Sequence, residues 1–298
     1  MKENIKTLVQ RIGIYKLYSW LVQKLDDIRS NKFDCCLGDI LLLRDVPNDH
    51  QLLLTSRLLD VEEYLEKGND TFPFQNAISY KAFGKSHRED AGNKAFKALI
   101  ESYIMNGYQT DSYITLDSDM ILLDGNHRMG LQIYERIKRV SASMLKRKVS
   151  FEYGGDWYYR VGLSTSFMEK LYNKYAAIQK WLIDSGMTFC AISDVKGEEQ
   201  ISLINDIKHL ATVLKVQTFY NRIEYRKHVL LGGVQIQFSC MQPEYVYDKG
   251  LLISKRAKRI NDILASRFFN NIVIVSINCM EGMEMFNTIV NQNQDSPV

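Results

Sequence analysis

The run Ile121-Leu122-Leu123-Asp124-Gly125-Asn126-His127-Arg128-Met129-Gly130 constrains this chain more than any other stretch. An apolar segment ends at Asp124-Gly125, and a charged cluster opens a helix expected over 129–139. A strand that turns directly into a helix aims backbone N–H groups and the positive end of the helix dipole at one point. Gly125 permits the turn and lets a ligand approach the backbone. His127 and Arg128 add cationic donors, and an arginine fork matches phosphate oxygens. The junction therefore predicts an anion site, with phosphate the best fit. The plainer alternative is a strand-to-helix turn whose His and Arg are only solvated.

At 298 residues the chain has room for one large domain or two ordinary ones. Its 46% hydrophobic and 24% charged residues are those of a globular protein, and a net charge of +3 is too small to argue for nucleic acid. The 5 cysteines, at 35, 36, 190, 240 and 279, show no Cys-x-x-Cys spacing, which fits a reduced cytosolic compartment better than zinc or a disulfide framework. No apolar run approaches the ~20 residues needed to span a bilayer, and the N-terminus lacks the apolar core of a cleavable signal. A cytoplasmic location is expected. Residues 4–30 read as an amphipathic helix that either docks on the core or, through Tyr15, Tyr18, Trp20 and the surrounding lysines, touches the inner membrane face.

Along the chain, Ile40-Leu41-Leu42-Leu43 reads as a strand and 50–67 as a helix. A brief strand at 76–80, a polar loop at 84–90 and a helix at 91–106 stopping at Asn106-Gly107 come next. The segments 113–116 and 120–123 form a hairpin; after the junction, 140–145 is another strand. Beyond a turn at 153–157, helices are expected at 164–184, 197–214 and 254–267. Strands are expected at 187–192, 228–231, 234–240 and 271–277, with Gly232-Gly233 as a hairpin turn and a disordered tail at 291–298. His209 and His228 lack metal-ligand spacing, the basic run 255–259 reads as a solvated helix face, and Walker-type loops and serine elbows are absent.

This order of parts, carried by Ile78–Tyr80, 86–90, 94–107, 113–116 and 120–130, resembles the ParB/sulfiredoxin superfamily. The Asp-Gly-Asn-His-Arg turn is similar to the nucleotide-phosphate loop of its members: Gly-Glu-Arg-Arg in the partitioning CTPases, Gly-Cys-His-Arg in sulfiredoxin and Asp-Gly-His-His-Arg in the free-serine kinases, the last being closest in letters. The resemblance implies an α+β fold with a ParB/sulfiredoxin-like nucleotide-binding core at 71–152. A helical N-terminal extension, 1–70, and a C-terminal α/β extension, 153–298, would flank it. Asn126 stands where sulfiredoxin has its catalytic cysteine, so sulfinic-acid reduction is not implied. The Gly-Glu-Arg-Arg form and a following helix-turn-helix are also missing, which leaves a kinase as the leading reading.

For that chemistry Gly125, Asn126, His127 and Arg128 would hold nucleotide phosphates, joined by Lys85 and Arg88 from the neighbouring loop. The kinases of the family place a carboxylate in that loop as general base. Glu89 is the first choice here, with Asp90 second, while Asp124 and His127 complete the catalytic set. Mg2+ needs only one or two protein carboxylates beside phosphate oxygens, and Asp124 and Glu89 are the candidates. The bland reading of 86–90 is a helix cap. The expected activity is phosphate transfer from ATP or ADP to a hydroxyl of a small metabolite or sugar. The two extensions exceed what a free amino acid requires, which favours a glycan or lipid-linked sugar as acceptor. The alternative is a ParB-like, CTP-gated, DNA-associated binding protein. Oligomeric state is open.

Overall fold

The computed structural model describes residues 31–41, 47–83, 89–107, 113–146, 148, 154–240, 243–248 and 250–294, with the side chains of 31, 82–83, 89–91 and 292–294 outside that description. The expected helix at 4–30 lies outside the described residues. The fold is α+β. In chain order the first elements are β1 (Asn31–Cys36), α1 (Leu37–Leu41), α2 (Asp49–Lys67), α3 (Pro73–Phe83) and α4 (Glu89–Asn106). They lead to β2 (Ile114–Leu116), β3 (Leu122–Asp124), α5 (Asn126–Tyr134) and β4 (Arg139–Met144). The later half comprises α6 (Trp157–Arg160), α7 (Thr165–Asp184), β5 (Phe189–Ser193), α8 (Glu198–Leu210), β6 (Thr212–Tyr225) and β7 (His228–Ser239). It closes with β8 (Tyr245–Asp248), β9 (Leu251–Ser254), α9 (Lys255–Arg267), β10 (Val273–Val275) and α10 (Cys279–Gln294).

One sheet has the order β1-β4-β2-β3, with β2 and β4 parallel and both outer pairs antiparallel. The second, β10-β5-β7-β6, is antiparallel throughout. A single apolar core joins the two, running from Phe33, Leu58, Ile114 and Met129 through Ile178 and Leu182 of α7 to Phe189, Ile236 and Phe238. Although β1 belongs to the segment read as a helical extension, it is an integral strand of the first sheet, from Asn31 opposite Met144 to Cys36 opposite Arg139. Among the described residues no helix is long and apolar enough to cross a membrane.

A buried carboxylate ties the ends of this core together. Asp39 of α1 accepts hydrogen bonds from the Cys279 amide at the start of α10, at 2.8 Å, and from the Tyr245 hydroxyl of β8. Burial pushes the Asp39 carboxyl up. All five cysteines are free and buried, and burial likewise raises every thiol pKa, which makes them inert packing groups.

Several expected elements change type, each for a visible reason. The Ile40–Leu41 half of the expected strand forms α1, whose five residues are all buried; such a short apolar run does not distinguish strand from helix. The expected strand at 76–80 is part of α3. Pro73 opens that helix, where its missing N–H is no loss, and Asp60 of α2 accepts from the next two amides, Phe74 and Gln75, at 2.9 and 2.7 Å. Phe74 and Ile78, four apart, then pack on Leu52, Tyr158 and Leu171. The helix expected at 129–139 starts earlier and stops at Tyr134, because Arg136 takes φ 58° and Arg139 already belongs to β4. The helix expected at 197–214 ends at Leu210, where Ala211 is extended and β6 begins. The tail residues 291–294 continue α10.

Gly232-Gly233 is not a hairpin turn. The chain reverses between Tyr225 and His228, with Arg226 at φ 55°, and β7 continues through both glycines, opposite an irregularity in β6 between Phe219 and Arg222. A Cβ on Gly233 would lie 1.9 Å from the Ser193 carbonyl oxygen of β5, so the pair serves close strand approach. Gly233→Ala is expected to lower stability by about 3 kcal/mol or more in urea denaturation. An unchanged midpoint would show that β5 and β7 need no such contact.

Candidate functional site

The 121–130 junction folds as its residues require. β3 ends at Asp124, and Gly125 follows with φ 100° and ψ 14°; a Cβ there would stand 2.8 Å from Cγ2 of Ile114. Gly125 is the N-cap of α5 and offers no side-chain acceptor. The first intrahelical bond is from the Met129 amide to the Gly125 carbonyl, 2.8 Å. The amides of Asn126, His127 and Arg128 precede it and so have no acceptor within the helix. That concentrates donors and dipole at one opening beside Asp124, whose side chain is 77% exposed.

Arg128 is partly committed to the frame. Its Nη1 donates to the Tyr113 carbonyl at 2.8 Å, fastening α5 to the start of β2, and its Nη2 reaches Asp124 Oδ2 at 3.4 Å. The expected phosphate cation is therefore also a brace between helix and sheet.

His127 differs from the expectation of a cationic catalytic group. It lies on the ring of Phe96, with centroids 4.3 Å apart, and bonds the side chain of Gln75. A relay fixes its tautomer. Asn93 donates to the Thr71 carbonyl, so its oxygen faces Gln75; Gln75 donates to that oxygen, so its own oxygen faces His127. Nε2 of His127 must then carry the proton, and the neutral ring leaves only an acceptor at Nδ1. Burial, and secondarily the Arg57 charge, hold its pKa down at about 3. The His127 ring is therefore a neutral group here, unlike the cationic donor expected from the sequence.

Behind the turn sits a cation that sequence reasoning passed over. Arg57 of α2 is 8% exposed, and α5 crosses it so closely that a Cβ on Gly130 would lie 3.2 Å from the Arg57 Cβ. Its Nε has no partner, and Nη1 makes only a 3.4 Å contact to Ser56 Oγ. Burial pushes the Asp60 carboxyl up to about 7 against the pull of the Phe74 and Gln75 amides and of Arg57. Tyr158 of α6 donates to the Asp49 carbonyl at 3.0 Å, and burial raises its phenol. A signal for Arg57 existed: it occupies the i+3 place of the apolar stripe Leu54, Leu58, Val61, where a charge is out of pattern. Asp60 and Gln75 carried no comparable mark.

Lys85 and Arg88 lie outside the described residues, as does the Glu89 side chain; only the Glu89 backbone, at the start of α4, is described. Among the described residues no group of three or more His, Cys, Asp or Glu could hold a metal. Of the two carboxylates expected to hold Mg2+, Asp124 is exposed and pairs with Arg128 at 3.4 Å. Comparison with models of protein families, with curated proteins and with solved structures finds no match to this chain.

The two perturbed groups here act in opposite directions on acid stability. His127 stays neutral when folded but takes a proton below about 6.5 when unfolded, so its effect is lost stability as pH falls from 6.5 towards 3. Asp60 holds its proton up to about 7 when folded and only to 3.8 when unfolded, so stability falls as pH rises across that window. His127→Gln, which keeps a donor for Gln75, is expected to gain about 3 kcal/mol relative to wild type between pH 7 and pH 4. Urea denaturation at both pH values measures this; a difference independent of pH would mean that the imidazole titrates normally.

Proposed function

We propose that the chain is a nucleotide-dependent phosphotransferase whose donor phosphates rest on the first turn of α5. The observation that carries this reading is the turn at Gly125: a left-handed glycine cap with no side-chain cap bond, after which the amides of Asn126 and His127 have no intrahelical acceptor. Arg128, held at the mouth by Tyr113 and Asp124, adds positive potential. Asp124 is exposed beside the turn and is the described carboxylate best suited to take the proton of an acceptor hydroxyl.

In this reading Mg2+ arrives as part of the nucleotide substrate. The acceptor hydroxyl oxygen forms a bond to the terminal phosphorus of ATP or ADP. The bond from that phosphorus to the bridging oxygen breaks, and the shortened nucleotide leaves with the electron pair while the hydroxyl proton passes to Asp124. The acceptor is a hydroxyl of a metabolite or sugar, a glycan or lipid-linked sugar being favoured by the amount of chain outside 71–152.

The test is thermal stability against Mg2+ complexes of ATP, ADP, CTP and GTP. A nucleotide that binds only the folded chain adds about 2.7 kcal/mol at a hundred times its Kd. Asp124→Asn is expected to keep that rise and to lose about a hundredfold or more in transfer rate. No rise with any nucleotide would sink the reading. A response to CTP alone, without transfer, would instead favour the nucleotide-gated binding protein.

A further inference from the structure

We propose that Arg57 is the buried counter-charge of a phosphate site at the first turn of α5. This rests on reading that turn as phosphate-holding, and it adds a residue, a depth and a charge that the turn alone lacks.

A guanidinium that is more than nine-tenths buried ordinarily has a carboxylate or several carbonyls around it, because an unpaired buried charge is costly. Arg57 has neither. Among the described residues no carboxylate oxygen lies within ion-pair distance of it, its Nε has no partner, and its single hydrogen-bond contact is the long one to Ser56. The nearest carboxylate in sequence, Asp60, spends both oxygens on the amides of Phe74 and Gln75.

Arg57 lies on the face of α2 that α5 covers, since a Cβ on Gly130 would stand 3.2 Å from the Arg57 Cβ. It acts on Asp60 of the same helix, on Tyr158 of α6 and on His127 in the first turn of α5. The Nε2 proton of His127, in the first turn of α5, is turned away to Gln75. Among the described residues Arg57 is then a buried cation under α5 with no anionic partner, and a phosphate oxygen is a group whose size and charge complete it.

The assignment makes an unusual demand on stability. A bound oxyanion would supply the partner that folding leaves out, so an apolar side chain of similar length should suit the empty protein better than arginine does. The experiment uses the full chain in phosphate-free buffer, with inorganic phosphate, pyrophosphate and Mg-ATP as probes, and compares wild type with Arg57→Met and Arg57→Lys. Arg57→Met is expected to melt about 2–4 °C above wild type without ligand and to show no rise with phosphate. Arg57→Lys, which retains charge but not the fork, should bind phosphate about tenfold more weakly than wild type by calorimetry.

A lower melting temperature for Arg57→Met together with an undiminished phosphate response would overturn the proposal, as would failure of that variant to fold, since packing rather than an unmet charge would then explain the arginine. If Mg-ATP raises wild type and Arg57→Met equally, the nucleotide reading survives and Arg57 has no part in it. If phosphate binding depends on Arg57 while no nucleotide is bound, the oxyanion site stands and the nucleotide reading falls. No response of wild type to any of the probes overturns both.

Discussion

Asp39 fastens α1 to the β8–β9 hairpin and to the start of α10. Its carboxylate receives the amide that opens α10 and the hydroxyl of Tyr245, so α1, the β8–β9 hairpin and the last helix meet on a single oxygen. The other oxygen of the same carboxylate is buried without a partner. A hydrogen-bond acceptor at the start of α10 satisfies one of that helix's free amides, and the loss of one hydrogen-bonding opportunity is tolerable for what the remaining bonds secure. Around this tie the apolar core passes without interruption from β1 and β4 to β5 and β7. The junction at 121–130 owes its placement to that continuity: β2 and β3 are aligned by β4, which β1 flanks, and the helix that leaves β3 is pressed against α2 at Gly130.

The candidate site is a meeting of helix ends. Asp60, from the middle of α2, performs for α3 the service that a cap residue usually performs for its own helix. The side chain of Gln75, just inside that helix, then sets the proton of His127 in the first turn of α5. Thus the beginning of one helix is satisfied by a remote carboxylate, whereas the beginning of the other is left with no side-chain cap. The asymmetry between the two helix ends is the physical reason for regarding the second as a place for something else to bind.

How much of this was legible in the sequence depended on the range of the interaction involved. The Gly125 turn, the hairpin before it, the stop at Gly107 and the helices at 165–184 and 255–267 are local matters of periodicity, caps and turn residues, and all were readable. The identity of 73–83 was not, because its decisive partner is a carboxylate a dozen residues upstream, on the buried side of another helix. Pro73 was the available hint. Gly232-Gly233 misled for a related reason: a glycine pair looks the same whether it turns the chain or admits a neighbouring backbone, and the neighbour, Ser193, is far away in sequence. His127 was read as a cation since a histidine's charge depends on burial, and burial comes from Phe96, Gln75 and Arg57, which no local pattern connects. Arg57 itself was visible as a charge within an apolar stripe, and only the crossing of α5 over it gives that irregularity a meaning.

The reach of the Asp39 tie also governs the order in which the protein can assemble during synthesis. The amide that completes it is 240 residues further along, on the order of 10–50 s of translation at about 5–20 residues per second. Meanwhile β1 has to wait for β4, and the apolar turn Leu37, Ile40 and Leu41 leaves the ribosome long before α10 exists to cover it. The N-terminal part of the first sheet is thus made early and finished last. A nascent chain arrested before Cys279 would carry its earliest apolar surface uncovered, a natural substrate for chaperones and proteases.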